Sequence, residues 1–188
     1  REMDEITPRT GELSEEVVLK LENLTVLNDK GLPAIKDVTM DIKKGEIFGI
    51  AGVAGNGQRE LAEVIAGLRS ATGGKILLKG QDVTRDSIRK RIDQGISFIP
   101  EDRLHMGLVP GLDFKDNVIL KQYNHPKYNK KGLLRYSEAE RVAKEFVEKH
   151  DIKTGGTELP VGLMSGGNQQ KVVLAKWMMT DMKVVFFD

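Results

Sequence analysis

The feature that most restricts the fold of this chain is a short apolar run followed at once by glycines. Ile47-Phe48-Gly49-Ile50-Ala51 carries no charge, and Gly52-Val53-Ala54-Gly55-Asn56-Gly57 comes directly after it. Beyond the glycines, Leu61, Ala62, Val64, Ile65 and Leu68 recur at helical spacing. A continuous apolar run of this length reads as a central buried strand, and the later spacing reads as an amphipathic helix. Strand, glycine turn and helix in that order point to an α/β chain. Glycine permits positive φ and close backbone approach, so consecutive N–H groups and a helix N-terminus can face a phosphate. The layout is that of a phosphate-binding loop, although by itself it reads equally well as a glycine-rich turn without a ligand.

The remaining elements follow from periodicity. Residues 1–16 have little, and they contain Pro8 and Gly11, which predicts a linker or arm before a domain spanning 17–188. Alternation of Val17, Leu19 and Leu21 predicts a half-buried strand over 17–24, and Val38, Met40 and Ile42 predict a second over 34–42. Further strands are expected at 75–78 and 96–99, with a short helix at 87–94 between them. From about 104 to 163 the apolar spacing becomes helical, interrupted by a polar loop at 123–131. Ser137-Glu138-Ala139-Glu140 predicts a capping box, and a second capped helix is expected from Ser165 to Thr180. An apolar strand at 184–187 then carries Asp188 at its tip.

Composition narrows the class of function. The chain has 188 residues, enough for one domain with a real core. Its net charge of +1 comes from interspersed residues of both signs, which argues against a nucleic-acid partner. It contains no cysteine, which excludes disulfides, thiolate catalysis and Cys-ligated zinc. No apolar run approaches the roughly 20 residues of a membrane span. The charged opening reads as an internal position, not as a signal peptide.

At the phosphate-loop pattern, the usual Lys and Ser or Thr are replaced by Gln58 and Arg59. Lys reaches the β- and γ-phosphates and the hydroxyl ligates Mg²⁺. Gln58 is neutral and Arg59 offers no metal ligand, so both tasks are compromised. Losing one charge-assisted hydrogen bond costs about 1.5–3 kcal/mol, or roughly ten- to a hundredfold in affinity.

A second glycine cluster decides between the two readings of the first. Met164-Ser165-Gly166-Gly167-Asn168-Gln169-Gln170-Lys171 closely resembles the signature motif of ABC ATPases. Phosphate loop, helical insert, signature and an apolar strand ending in Asp fall in the ABC order. With Pro100-Glu101-Asp102-Arg103, these motifs resemble the second, degenerate ATPase half of tandem ATP-binding proteins that serve simple-sugar and nucleoside importers. The resemblance runs from about Val17 to Asp188.

That resemblance implies a P-loop NTPase fold: an ABC ATPase core with an antiparallel β subdomain and a helical insertion. It implies ATP and Mg²⁺ as cofactors. Nucleotide would meet Gly52, Val53, Ala54, Gly55, Asn56, Gly57, Gln58 and Arg59. The corner of Ser165, Gly166, Gly167, Asn168 and Gln169 would serve ATP held by a partner half. Glu101 falls nearest the position of the family's Mg²⁺-touching, membrane-coupling Gln, and Asp188 resembles the Mg²⁺-holding carboxylate of the Walker B strand. Residues 24–30 contain no aromatic ring to stack on adenine. The implied partners are the first ATP-binding domain of the same parent chain or a second copy, integral membrane permease subunits and, indirectly, a substrate-binding protein. The implied location is the cytoplasmic face of the cell membrane. A soluble ABC ATPase without a membrane partner and a non-catalytic interaction module are the alternatives.

Overall fold

The computed structural model describes residues 14–53 and 55–187, and the chain divides into two compact units, Arg1–Asp86 and Ser87–Asp188. Most of the expected arm at 1–16 lies outside the described residues.

The first unit is built on a four-stranded antiparallel sheet in the order β2-β1-β3-β4. Its strands are β1 (Val17–Leu27), β2 (Pro33–Lys43), β3 (Gly73–Leu78) and β4 (Gln81–Asp82). The helix α1 (Gln58–Ala66) belongs to the same unit. On β1 the alternating buried positions are Leu19 and Leu21, then Leu24 and Val26, with Val18 buried beside them. The alternation therefore slips by one residue, and Asn23 causes it. Asn23 sits at a φ of 48° and donates its side-chain amide to Asp37 at 2.7 Å, in a stretch where the register against both neighbouring strands shifts. Gly74 of β3 faces this irregularity with a φ of 80°. A Cβ there would collide with the Glu22 and Asn23 carbonyls, so only glycine passes. α1 turns Leu61, Val64 and Ile65 inward and stops at Gly67, whose left-handed conformation lets its N–H and that of Leu68 close on Val64 and Glu63 carbonyls.

One expectation fails here. Residues 47–51 form no strand, and Ile47, Phe48 and Ile50 are 90%, 45% and 50% exposed. Hydropathy reports what a segment would bury if neighbours covered it. A strand also needs adjacent strands to take its N–H and C=O groups, and none among the described residues does so.

The second unit pairs β5 (Ile96–Ile99) with β8 (Val184–Phe187) in parallel, Ile96 opposite Val184 and Ile99 opposite Phe187. Three helices surround an apolar cluster: α3 (Phe114–Ile119), α4 (Tyr136–Lys149) and α5 (Gly166–Met178). α2 (Ile88–Asp93) starts at Ser87, whose hydroxyl accepts the Lys90 N–H. Phe114, Val118, Ala139, Val142, Val161, Val172 and Trp177 form the middle of the cluster. Asn117 is fully buried among them and is satisfied on both sides. Its carbonyl accepts the Val109 N–H at 2.9 Å, and its amide donates to the carbonyls of Val109, Leu112 and Asp113. A buried amide this well paired fixes one arrangement of the 109–117 turn.

Two local expectations in this unit also change. The polar loop at 123–131 leads into a small hairpin, β6 (Asn129–Lys130) with β7 (Leu133–Leu134), turned by Lys131 and Gly132 at positive φ. The capping box at 137–140 does not form. α4 begins two residues earlier than that box would start it, at Tyr136 with Arg135 as its cap, and the Glu140 carboxylate takes the Thr157 hydroxyl at 2.7 Å instead. A tertiary hydrogen bond has displaced the local one.

Candidate functional site

In the first unit, Gly52 and Val53 are irregular, Gly55–Gly57 turn the chain, and Gln58 and Arg59 open α1. Val53 and Asn56 close part of the turn, the Asn56 N–H donating to the Val53 carbonyl at 3.1 Å. Gly55 and Gly57 take φ values of 90° and 98°. Gly57 is the N-cap of α1, and a Cβ there would stand 2.6 Å from the Ala34 carbonyl oxygen. Glycine is therefore required at Gly57 on two counts. Ala54 lies outside the described residues.

The two unusual residues of this loop are both engaged. The Gln58 carboxamide folds back over Gly52, occupying the place a Cβ on Gly52 would take. Arg59 donates its Nε–H to Glu63 Oε1 at 2.8 Å, one turn along α1. Glu63 is buried and also accepts from Arg69 at 2.9 Å, and Arg69 in turn reaches Asp29 and the Leu27 carbonyl. Hydrogen bonding and charge from Glu63 raise the Arg59 guanidinium above its usual range. The residues at the loop do not fit Mg²⁺. Position 59 supplies a guanidinium where an oxygen ligand is needed, and that group is already paired with a carboxylate.

In the second unit, Ser165 is the N-cap of α5 in an extended conformation, with Gly166 and Gly167 as the first helical residues. Its hydroxyl does not cap the helix. It accepts the Asn168 side-chain amide at 2.9 Å, while Asn168 Oδ1 accepts the Lys153 N–H at 2.9 Å. The Ser165 carbonyl accepts the Gln169 N–H, the first bond of the helix. Gln169 is buried and donates to the Val161 carbonyl at 3.2 Å. Nothing within 4 Å would meet a Cβ on Gly167. The corner therefore exposes a hydroxyl and the positive end of a 13-residue helix beside open space.

Pro100 closes β5 and Glu101 follows, exposed. The chain then makes a π-helical turn, Arg103–Gly107, in which the Gly107 N–H reaches the Asp102 carbonyl. The Asp102 carboxylate accepts the Leu104 and His105 N–H groups at 3.1 and 3.0 Å. Hydrogen bonds from the His105 amide and ring hold the Asp102 carboxyl below its usual range. Two contacts of this region carry no signal in the sequence. Arg103 lies against Gly166 and donates to Gln169 at 3.4 Å, and Lys176, deep in α5, donates to the Gly107 carbonyl. Asp188, the expected metal ligand, lies outside the described residues.

Comparison with known proteins defines the class. The profile of the ABC transporter family matches residues 35–188, and the chain belongs to that family. Among relatives, it is 40% identical to the glucose import ATP-binding protein TsgD13 of Haloferax volcanii over 86% of its own length and 30% of the relative's. It is 35% identical to the nucleoside import ATP-binding protein NupA of Lactococcus lactis, over 94% of this chain and 35% of that one. It is likewise 35% identical to the galactose/methyl galactoside import ATP-binding protein MglA of Fusobacterium nucleatum, over 100% and 37%. The chain thus spans about a third of the length of these relatives. A dimeric ATP-binding cassette bound to ADP and phosphate matches with a TM-score of 0.72 at 24% identity, covering 90% of this chain and 73% of the other. The cbiO1 protein of Clostridium perfringens matches at 0.68 and 23%, covering 93% and 66%. The fold is that of the ABC ATPases, a P-loop NTPase fold with an antiparallel sheet.

Proposed function

We propose that this chain is the second, degenerate nucleotide-binding half of an importer's tandem ATP-binding protein, and that it serves catalysis through its signature and not its phosphate loop. The observation that supports this asymmetry is the contrast between its two glycine corners. At the loop, Gln58 covers Gly52 and Arg59 is tied to Glu63. At the signature, Gly167 faces open space at the N-terminus of α5.

Two halves meeting head to tail would put ATP from the partner's intact loop against Ser165, Gly166 and Gly167. The Ser165 hydroxyl and the amides of the first turn of α5 would meet the γ-phosphate, where a helix N-terminus favours negative charge. Closure on ATP and reopening after hydrolysis would pass to permease subunits through the helical segment at about 104–163 and the Glu101 turn. On this reading no Mg²⁺-dependent step takes place at this half's own loop. Relatives named as glucose, galactose and nucleoside import proteins support a simple sugar or nucleoside as cargo and the cytoplasmic membrane face as location.

The test is uptake and ATP turnover by the complete ATP-binding protein assembled with its permease. Ser165→Arg in this half is expected to abolish both, because a long cation blocks the open corner. Gln58→Ala is expected to leave both within about twofold of the parent, since no ground-state or transition-state contact is lost. Equal damage from the two substitutions would refute the asymmetric assignment.

A further inference from the structure

We propose that Arg103 is a positioning residue for the signature corner: it ties the turn that carries Glu101 to the first turn of α5. The inference rests on the reading of Ser165–Gly167 as a phosphate-facing corner. Everything else in it comes from one cluster of contacts.

The turn and the helix meet at two levels. At the upper level, Arg103 donates Nε–H to the Gln169 side-chain carbonyl at 3.4 Å, and its Nη2 stands 3.0 Å from where a Cβ on Gly166 would be. A Cβ on Gly166 would press on the end of that guanidinium. At the lower level, the buried Lys176 ammonium donates to the Gly107 carbonyl, and Val173 Cγ2 stands 3.0 Å from a Cβ position on Gly107. One face of α5 is therefore pinned to both ends of the π-helical turn. A π-helical turn is less regular than an α-helical one and is found at functional sites more often than chance allows. Contacts from a neighbouring helix are what keep it in one shape.

Arg103 occupies an electrostatically costly place. A cation beside the N-terminus of a helix opposes the helix dipole. Among the described residues it makes no ion pair with a carboxylate. A plain packing role would be filled better by a neutral side chain of the same length. A guanidinium plane instead covers the bare Cα of Gly166 and grips Gln169, which is itself anchored to the Val161 carbonyl. Arg103 thus sets where the Gly166 and Gly167 amides aim, and it does so from the segment two residues beyond Glu101. A displacement of that segment reaches the corner through one side chain.

The experiment compares Arg103→Ala, Arg103→Lys, Gln169→Ala and Arg103→Ala with Gln169→Ala, all made in the complete ATP-binding protein, with Ser165→Arg as the control for the corner itself. Arg103→Ala is expected to lower kcat for ATP by about three- to tenfold while KM stays within about twofold, because the partner's loop still binds the nucleotide. Arg103→Lys should recover part of the loss. The double substitution should be no worse than the more damaging single one, since both remove the same contact. Unchanged melting temperature in Arg103→Lys keeps the comparison free of misfolding. If Ser165→Arg abolishes turnover while every Arg103 variant retains the parent kcat, the positioning role is wrong and the signature reading stands. If Ser165→Arg leaves turnover intact, the corner does not act on nucleotide, and both fall.

Discussion

Gln58 lies across Gly52, so a side chain of α1 fills the ground in front of the first glycine of the loop. Where a lysine would extend its charge toward phosphate, a neutral carboxamide rests on the backbone. On the proposed asymmetry, this contact is what would keep a loop with the glycine spacing of a phosphate site quiet.

The first prediction reverses it. Gln58→Lys combined with Arg59→Ser restores the charge and the hydroxyl, and Mg-ATP should bind the chain about ten- to a hundredfold more tightly than the parent sequence. Isothermal titration calorimetry reads the difference directly. Equal affinity before and after would mean that the backbone cradle itself, not these two side chains, is unfit for phosphate.

The two loop glycines should differ sharply in their tolerance. Gly52→Ala displaces only the flexible end of Gln58, and its cost should stay below about 0.5 kcal/mol. Gly57→Ala forces a Cβ onto the Ala34 carbonyl at a φ of 98°, with an expected cost of about 1–3 kcal/mol. Urea midpoints of the two variants check the order.

Glu63 and Arg59 form one pair, yet they should not be equivalent. Glu63 has a side chain 8% exposed and receives two guanidinium groups, whereas Arg59 is 63% exposed. Glu63→Ala leaves Arg69 short of a buried partner and should cost about 1–3 kcal/mol. Arg59→Ala should leave the denaturation midpoint nearly unchanged, as expected for an exposed ion pair. Chemical denaturation of both variants at low salt distinguishes them.

Lys176 gives a pH signature. Burial, with the Lys121 charge adding to it, pushes its ammonium down to about 8, against about 10.4 for a free lysine. Below about pH 8 both folded and unfolded chains are protonated, and the folded state carries the whole desolvation penalty. Between about 8 and 10.4 the unfolded chain holds more protons than the folded one, so this residue makes stability rise with pH. Lys176→Met should remove that slope. Its denaturation midpoint relative to the parent should be highest near pH 7 and fall by pH 10. A difference that does not vary with pH would show that Lys176 is not a buried ammonium.

Much of this was legible from residue order. The strands β1, β2, β3, β5 and β8, and the helices α1, α2 and α5, follow from apolar spacing and from Gly and Ser at their ends. The exposed 47–51 run was not, because apolarity specifies a preference for burial and says nothing about which strands are at hand to pair with it. The β6–β7 hairpin was hidden by its polar composition, and the start of α4 by Glu140 finding Thr157 in place of its own helix end. The clamp from Arg103 to Gln169 joins residues 66 apart in the chain. No local pattern encodes it. Only the packing of α5 against the π-helical turn brings those two side chains together.

The central claim, one competent nucleotide site made from two unequal halves, is tested most directly by counting. Equilibrium binding of Mg-ATP to the complete ATP-binding protein, with its permease present, should titrate one tight nucleotide per polypeptide, and that site should disappear on Ser165→Arg in this half. Two tight sites of equal affinity, with the loop around Gly55 holding one of them, would contradict the account.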